Sequence, residues 1–355
     1  MTNPADLDMA KVEHFMHQII GDLSACTAAV LIRLGDRLGL YRAMADGKPV
    51  TSTELAERTG LAERYVREWL HAQAAGGWVS YDPGTATFIL PAEHAALVAD
   101  PDAPTFLLGG FDWIPSFWAD ADTLEAAFRS GAGIGWHQHD ERLFIGTERF
   151  FGAGYKMNLV ASWLPALDGV ADKLTSGGRI ADVGCGHGAA TILLAQAFPN
   201  AQVHGFDYHD ASIAAARSRV AGTGLSNVQF ETASSTDFPG HYDLVCLFDC
   251  LHDMGDPVGA LRHIRQSLAE DGSLMIVEPM AFDRAEENHQ YPLGRMFYSA
   301  STMICMPSSL AQPGGLATGN QVGPARLTEL AEQAGFSAVH VATTTPVNLI
   351  LQARP

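Results

Sequence analysis

Asp182-Val183-Gly184-Cys185-Gly186-His187-Gly188 closes an apolar run, RIADVG, and opens an apolar helical pattern, GAATILLAQAF. Asp207 closes the next apolar run, QVHGFD, 19 residues beyond Gly188. Glycines so spaced let the backbone turn tightly and approach a ligand, and an acid at the tip of the second run can accept both hydroxyls of a ribose. Gly184, Gly186 and Ala189 satisfy the dinucleotide pattern GxGxxG/A, so a nicotinamide oxidoreductase is one reading. Asp182 argues against it, because a pyrophosphate over this turn would meet a carboxylate two residues before the first glycine. S-adenosylmethionine (SAM) brings no phosphate there. Its α-ammonium and sulfonium suit the acid.

A second group, Phe248-Asp249-Cys250-Leu251-His252-Asp253-Met254, follows the apolar run YDLVCLF. It falls at the carboxyl edge of a parallel sheet, where ligands bind. An imidazole can take a proton from a phenol or an enol near neutral pH, so His252 is a candidate base. The other role open to it is positioning, because displacement at a sulfonium methyl needs mainly alignment. Trp136-His137-Gln138-His139-Asp140 offers two more imidazoles. Two imidazoles alone make no metal site, and no third ligand has matching spacing, so no metal is expected. Trp136 and His137 are instead expected on a polar and aromatic rim of the substrate cavity.

The elements that must position these groups alternate strand and helix from residue 178 onward: RIADVG, GAATILLAQAF, QVHGFD, ASIAAARSRVAG, VQFET, YDLVCLF, PVGALRHIRQSL, SLMIVEP, RLTELAEQAG. Two β-runs in FSAVHVATTTPVNLILQA follow with no room for a crossover helix. This predicts an α/β fold: a Rossmann-like, doubly wound sheet with one antiparallel strand at its edge. Residues 11–46 read as two helices, followed by a capped helix (Thr51 with Glu54, closing at Gly60), another helix, and a β-hairpin around Asp82-Pro83-Gly84. Together they spell a winged helix-turn-helix. Residues 96–150, rich in Gly, Pro and aromatics, read as an irregular connector against a ligand cavity. The expected domains are 1–95, a connector 96–155, and 156–355.

Composition limits the partners. The 355 residues carry 22 Lys plus Arg against 40 Asp plus Glu, a formal charge of −18, which repels phosphate backbones and anionic lipid. Residues 1–100 alone hold 8 Lys/Arg and 13 Asp/Glu, so 8 − 13 = −5, and DNA binding by the winged helix is not expected. With 47% hydrophobic residues the chain can bury a real core. No uninterrupted apolar stretch approaches the ~18 residues of a membrane span, so no membrane partner is expected. The polar start MTNPADLDMAK does not read as a signal peptide, and five scattered cysteines fit a reducing, cytoplasmic setting. Cys185, Cys246 and Cys250 read as small buried hydrophobes.

The strand-end loop, Asp207 and the terminal strand pair resemble the class I SAM-dependent methyltransferases. With the winged-helix front, nearly the whole chain resembles the plant-type small-molecule O-methyltransferases and, through DVGCGHG, LHDM-DP and WLPALDGV, their actinobacterial-type relatives. The resemblance implies a seven-stranded sheet whose last strand is antiparallel. The N-terminal helices, apolar on more than one side, are expected to pair two subunits into a homodimer. The resemblance also implies methyl transfer to a small acceptor with release of S-adenosylhomocysteine (SAH). A hydroxyl oxygen is the favoured acceptor, with nitrogen or carbon open. Asp182, Gly184, Cys185 and Gly186 would hold the methionine portion with Tyr155 at its end, the Phe248 carbonyl the ammonium, Asp207 the ribose, and Tyr208, Ser234 and Ser235 the adenine. Ser234 stands where the family has an acid. His252 would be the base and Glu278 the acid that orients it. Phe150, Met296, Tyr298 and Met303 would line the acceptor pocket. The rival readings are a winged-helix regulator with SAM as effector and the nicotinamide oxidoreductase.

Overall fold

Five-to-twelve-residue apolar strands joined by helices build the sheet that carries the loop just described. The computed structural model describes residues 7–355; the first six residues of the polar N-terminal segment lie outside it. The described chain divides into two compact units, one of residues up to 115 with 145–153, the other of 116–144 with 154–355.

In the first unit, α1 (Met9–Arg37) runs on past the point where two helices were expected, and only a single turn, α2 (Leu40–Ala43), is separate. Gly39, at φ +71, makes the break. α1 is 29 residues long and apolar enough to cross a membrane by length and composition alone, which corrects the expectation that no stretch approaches that length. The interruptions that broke the apolar run in sequence are small or singly polar residues that a helix accommodates. α3 (Ser52–Thr59) carries the Thr51–Glu54 capping box and ends at Gly60 in the left-handed region. α4 (Glu63–Ala75) pairs its arginines internally, Arg64 with Glu68 and Arg67 with Glu63. β1 (Ser80–Asp82) and β2 (Thr87–Ile89) form the hairpin, with Val50 bridging to Phe88. α5 (Ala92–Val98) follows. Ile32, Leu40, Tyr41, Leu55, Trp69, Leu70 and Phe88 form the core of this unit.

Residues 96–150 are largely helical rather than irregular: α6 (Gly110–Ala119), α7 (Ala121–Ser130) and α8 (Arg142–Asn158). Gly131 caps α7 at φ +74, Gly146 lies against the backbone of Trp113, and Pro115 falls inside α6.

In the second unit, α9 (Val170–Thr175) leads into β3 (Arg179–Val183), α10 (Ala189–Ala197), β4 (Gln202–Asp207), α11 (Asp210–Val220), β5 (Val228–Thr232) and β6 (Tyr242–Phe248). Then come α12 (Pro257–Ser267), β7 (Leu268–Pro279), α13 (Ala285–Gln290), α14 (Gly294–Ala300), α15 (Met306–Leu310), α16 (Pro324–Gln333), β8 (Ala338–Thr344) and β9 (Asn348–Arg354). The sheet order is β5-β4-β3-β6-β7-β9-β8. The order reverses between β3 and β6, so the tips of β3, β4 and β6 frame a crevice. The antiparallel strand is β9, but it lies one place in from the edge rather than at it. Its six buried residues explain the insertion, since β8 has no buried residue and is the strand that tolerates the edge.

Candidate active site

The glycine loop is built by backbone geometry. Gly184, Gly186 and Gly188 all have positive φ (+78, +52 and +78), a region that side chains disfavour. A Cβ on Gly184 would stand 2.8 Å from Cys250 Sγ, whereas nothing lies within 4 Å of the corresponding point on Gly186. The loop is therefore packed on one side and open above Gly186. The amides of Gly184 and Cys185 both donate to the Phe206 carbonyl, at 2.8 and 3.0 Å, which ties the loop to the end of β4.

Two acids flank this opening. Asp207 accepts from the Gly186 amide (2.9 Å) and the His209 amide (2.8 Å), so its carboxylate is aimed by the loop it serves, and each oxygen keeps a lone pair for a hydroxyl. Burial raises its pKa. Asp182 is buried; Thr191 donates to its Oδ2 at 2.5 Å, while its Oδ1 is buried with no hydrogen-bond partner. Burial pushes this carboxyl up to about 7, and the nearby Asp207 adds to the shift. An orphaned buried carboxylate oxygen is costly unless a cation or donor arrives. The donor set fits an ammonium.

At the tip of β6 the structure adds a residue that sequence reasoning left without a role. Asp249 has φ +50, unusual for a non-glycine residue, and bridges Tyr155 Oη (2.7 Å) and Asn348 Nδ2 (2.9 Å). Burial and the charge of Glu278 push it up to about 8. Tyr155 is buried and packs on Phe248, with ring centroids 5.3 Å apart. An acid closing a central strand in a left-handed turn was the available signal for Asp249. Thr191 and Asn348 gave none, since each acts only through the acid it touches.

His252 is buried, and each of its ring nitrogens faces an acid. Nδ1 is hydrogen-bonded to Glu278 Oε2, and Nε2 lies 3.2 Å from Asp253 Oδ1. Burial disfavours charge here, yet Glu278 and Asp253 outweigh it and raise the imidazole well above its usual range. The backbone around it is clamped: Thr318 Oγ1 donates to the His252 carbonyl (3.0 Å), Gln312 Nε2 to that of Asp253 (2.8 Å), and Ser309 Oγ to that of Met254 (2.8 Å).

Among the remaining candidates, Tyr208 is half exposed, and Ser234 and Ser235 are half-buried, with the Ser234 hydroxyl 2.9 Å from that of Thr236. Trp136-His137-Gln138 forms a 3-10 turn rather than a strand. His139 turns inward to Asp120 at 2.8 Å, while His137 is exposed. Trp136 packs on Phe144, which reaches the ring of His209 beside Asp207. Met296 and Tyr298 on α14 and Met303 in the following π-turn are half-buried. Phe150 belongs to the first unit, packed on Trp113 and Phe151.

A doubly wound sheet with this reversal, glycine loop and inserted antiparallel strand defines the class I methyltransferase fold. Residues 174–335 match the family described as Methyltransferase domain, and residues 26–100 match the Rv2258c-like winged HTH domain. Two stretches of the chain are thus similar to these domains, the methyltransferase match spanning just under half of its length. Over 107 residues it is 32% identical to the trans-aconitate 2-methyltransferase of Deinococcus radiodurans, covering 30% of this chain and 40% of that one. The chain spans between 5% and 42% of the length of the curated relatives it matches. Two solved structures extend the likeness in fold across the chain. Human N-acetylserotonin methyltransferase in complex with SAM has a TM-score of 0.67 at 16% identity, covering 99% of both chains. The mitomycin 7-O-methyltransferase has a TM-score of 0.61 at 20% identity, covering 98% of this chain and all of that one.

Proposed function

We propose that this chain transfers the methyl group of SAM to a small-molecule acceptor, with a hydroxyl oxygen favoured, and releases SAH. The buried, partnerless Oδ1 of Asp182 beside a glycine loop open above Gly186 carries this reading, because it asks for a cationic ligand at the place where a dinucleotide would bring phosphate. Asp207 takes the ribose hydroxyls, Tyr155 and Phe248 wall the methionine end, and Tyr208 with Ser234 and Ser235 receives the adenine. Charge near the sulfur favours turnover, since SAH lacks the sulfonium that the acids attract. With both nitrogens of His252 facing carboxylates, the arrangement supports a positioning role, with Glu278 holding the ring. Met296, Tyr298 and Met303, with Trp136 at the rim, give the acceptor an adaptable apolar wall.

The test is thermal denaturation with SAM, SAH, NAD or NADP at ~100 times a micromolar Kd, where a ligand of the native state adds ~2.7 kcal/mol. SAM and SAH should shift the melt, and Asp207→Ala should abolish the shift. A shift from a nicotinamide cofactor alone would falsify the reading. His252→Ala assayed with an acidic hydroxyl acceptor then separates its roles: a base costs ~10²-fold or more in kcat, and a positioning residue less than tenfold.

The homodimer belongs to the same proposal. Val12, Phe15, Met16, Ile19, Ile20 and Leu23 form a row along α1, 42% to 62% exposed, that a second copy would cover. Light scattering after gel filtration checks it, and a monomer at micromolar concentration sinks it. The internal pairing of Arg64 and Arg67 supports a winged helix that leaves DNA alone, and a salt-sensitive gel shift would favour the regulator instead.

A further inference from the structure

We infer that His252, Asp253 and Cys305 form a binding site for a divalent transition metal, with zinc as the fitting ion. Binding itself does not rest on the methyl-transfer reading. One ligand atom from each residue lies within 4.8 Å of the other two. His252 Nε2 and Asp253 Oδ1 are 3.2 Å apart, yet no donor satisfies Oδ1, although that atom is buried. Two ligand atoms held at ~2.0–2.2 Å on one tetrahedral zinc stand ~3.3 Å from each other, close to the separation seen. The two atoms lie at ion-pair distance without meeting the hydrogen-bond need of Oδ1, and a shared cation would satisfy both.

The surroundings have the parts that such a site uses. Glu278 holds Nδ1 of His252, so the ring is oriented by a carboxylate from behind while Nε2 looks toward the other two ligands. Three acids, Asp253, Glu278 and Asp249, act on or are acted on by His252, which concentrates negative charge around its ring. Cys305 is buried at the end of the π-turn Ser301–Cys305, a helical irregularity often found at functional sites. The clamps from Ser309, Gln312 and Thr318 keep the 252–254 backbone still, as a ligand loop requires.

The donor types choose the ion. A thiolate with an imidazole and a carboxylate suits zinc, whereas magnesium and calcium take all-oxygen sets. Binding displaces the Cys305 thiol proton and any proton on Nε2 into solvent. Three protein ligands leave a fourth position for water or an acceptor oxygen, where the ion would act as a Lewis acid. That consequence alone depends on the proposed function. The sequence hid the site because two ligands are adjacent and the third lies 52 residues away, which matches no metal motif.

The experiment titrates the full chain, held reduced by a non-chelating phosphine, with cobalt(II) and then zinc. Wild type should show a thiolate-to-cobalt charge-transfer band in the near ultraviolet, displaced by one equivalent of zinc. Cys305→Ser should lose the band, and Asp253→Asn should weaken zinc binding by at least ~10-fold. No band in wild type overturns the site, as does zinc bound equally well by both variants. Should Cys305→Ser fail to fold, the wild-type band and Asp253→Asn still decide. SAM melting shifts on the same sample keep the two ideas apart: zinc without a SAM shift sinks the methyl-transfer reading only, and a SAM shift without zinc sinks the metal site only.

Discussion

Glu278 grips two consecutive residues of the loop that follows β6: its Oε2 takes Nδ1 of His252, and its Oε1 accepts the Leu251 amide at 3.0 Å. A single carboxylate at the end of β7 thereby sets both the ring and the backbone that carries it. Because β7 lies beside β6 in parallel register, Phe248 opposite Val277, the next residue on β7 comes level with the loop. The pair is a product of strand register, and it is buried on both sides.

Removing one partner of such a pair leaves the other buried and uncompensated. Glu278→Ala should therefore cost roughly 3–5 kcal/mol. In a chain this size that lowers the melting temperature by roughly 4–7 °C. Glu278→Gln, which keeps an acceptor for Leu251, should lose visibly less. Equal losses in the two variants would mean that the charged contact to the imidazole, not the backbone contact, carries the energy.

Gly184 and Gly186 separate packing from ligand access. Gly184→Ala meets both a positive φ and the Cys250 sulfur, and should destabilise the fold by about 1–3 kcal/mol. Gly186→Ala meets only the φ, so it should cost ~1 kcal/mol in stability while placing a methyl in the open space where the cofactor is proposed. Melting curves and SAM titrations on the two variants check this. The ordering fails if Gly186→Ala binds SAM as wild type does.

Much of this frame was readable in advance because its causes are local. The glycine loop, the Thr51–Glu54 box and the β-runs each carry their own short-range signature. What the sequence could not supply depended on long-range contact. β9 is separated from β8 by a short turn, but only burial on the finished sheet decides that it inserts beside β7. Asp249 and Asn348 are 99 residues apart and meet only because β6 and β9 both flank β7. The helices in 96–150 were obscured by glycine and proline, which here cap α7 at Gly131, allow a close approach at Gly146 and sit inside α6 at Pro115.

Tyr155→Phe tests the Asp249 bridge. It removes one of two side-chain donors from a carboxyl held in a left-handed turn, leaving Asn348. The expected cost is roughly 1–3 kcal/mol of stability, with weaker SAM binding because the ring packs on Phe248. An unchanged melting curve and an unchanged Kd together would remove Tyr155 from the site.

The pH dependence of SAM binding follows from Asp182. Its folded pKa without ligand is raised to about 7, chiefly by burial, so the carboxyl is largely protonated in mildly acidic solution. A cationic ligand binds the carboxylate form. Affinity should therefore fall as pH drops through 7, approaching tenfold per pH unit below it. On the alkaline side a second decline is expected near ~8, where an α-amino group loses its proton. Titration calorimetry at constant ionic strength, from about pH 5.5 to 9, should trace this bell. SAH keeps the ammonium and should follow the same acid limb. Asp182→Asn cannot ionise, so its binding should be weaker throughout and its acid limb flat. If wild type shows no acid limb, Asp182 does not meet the ammonium and the orientation proposed for the cofactor is wrong. If Asp182→Asn keeps the limb, another acid carries it, and Asp207, whose pKa burial also raises, is the next to replace.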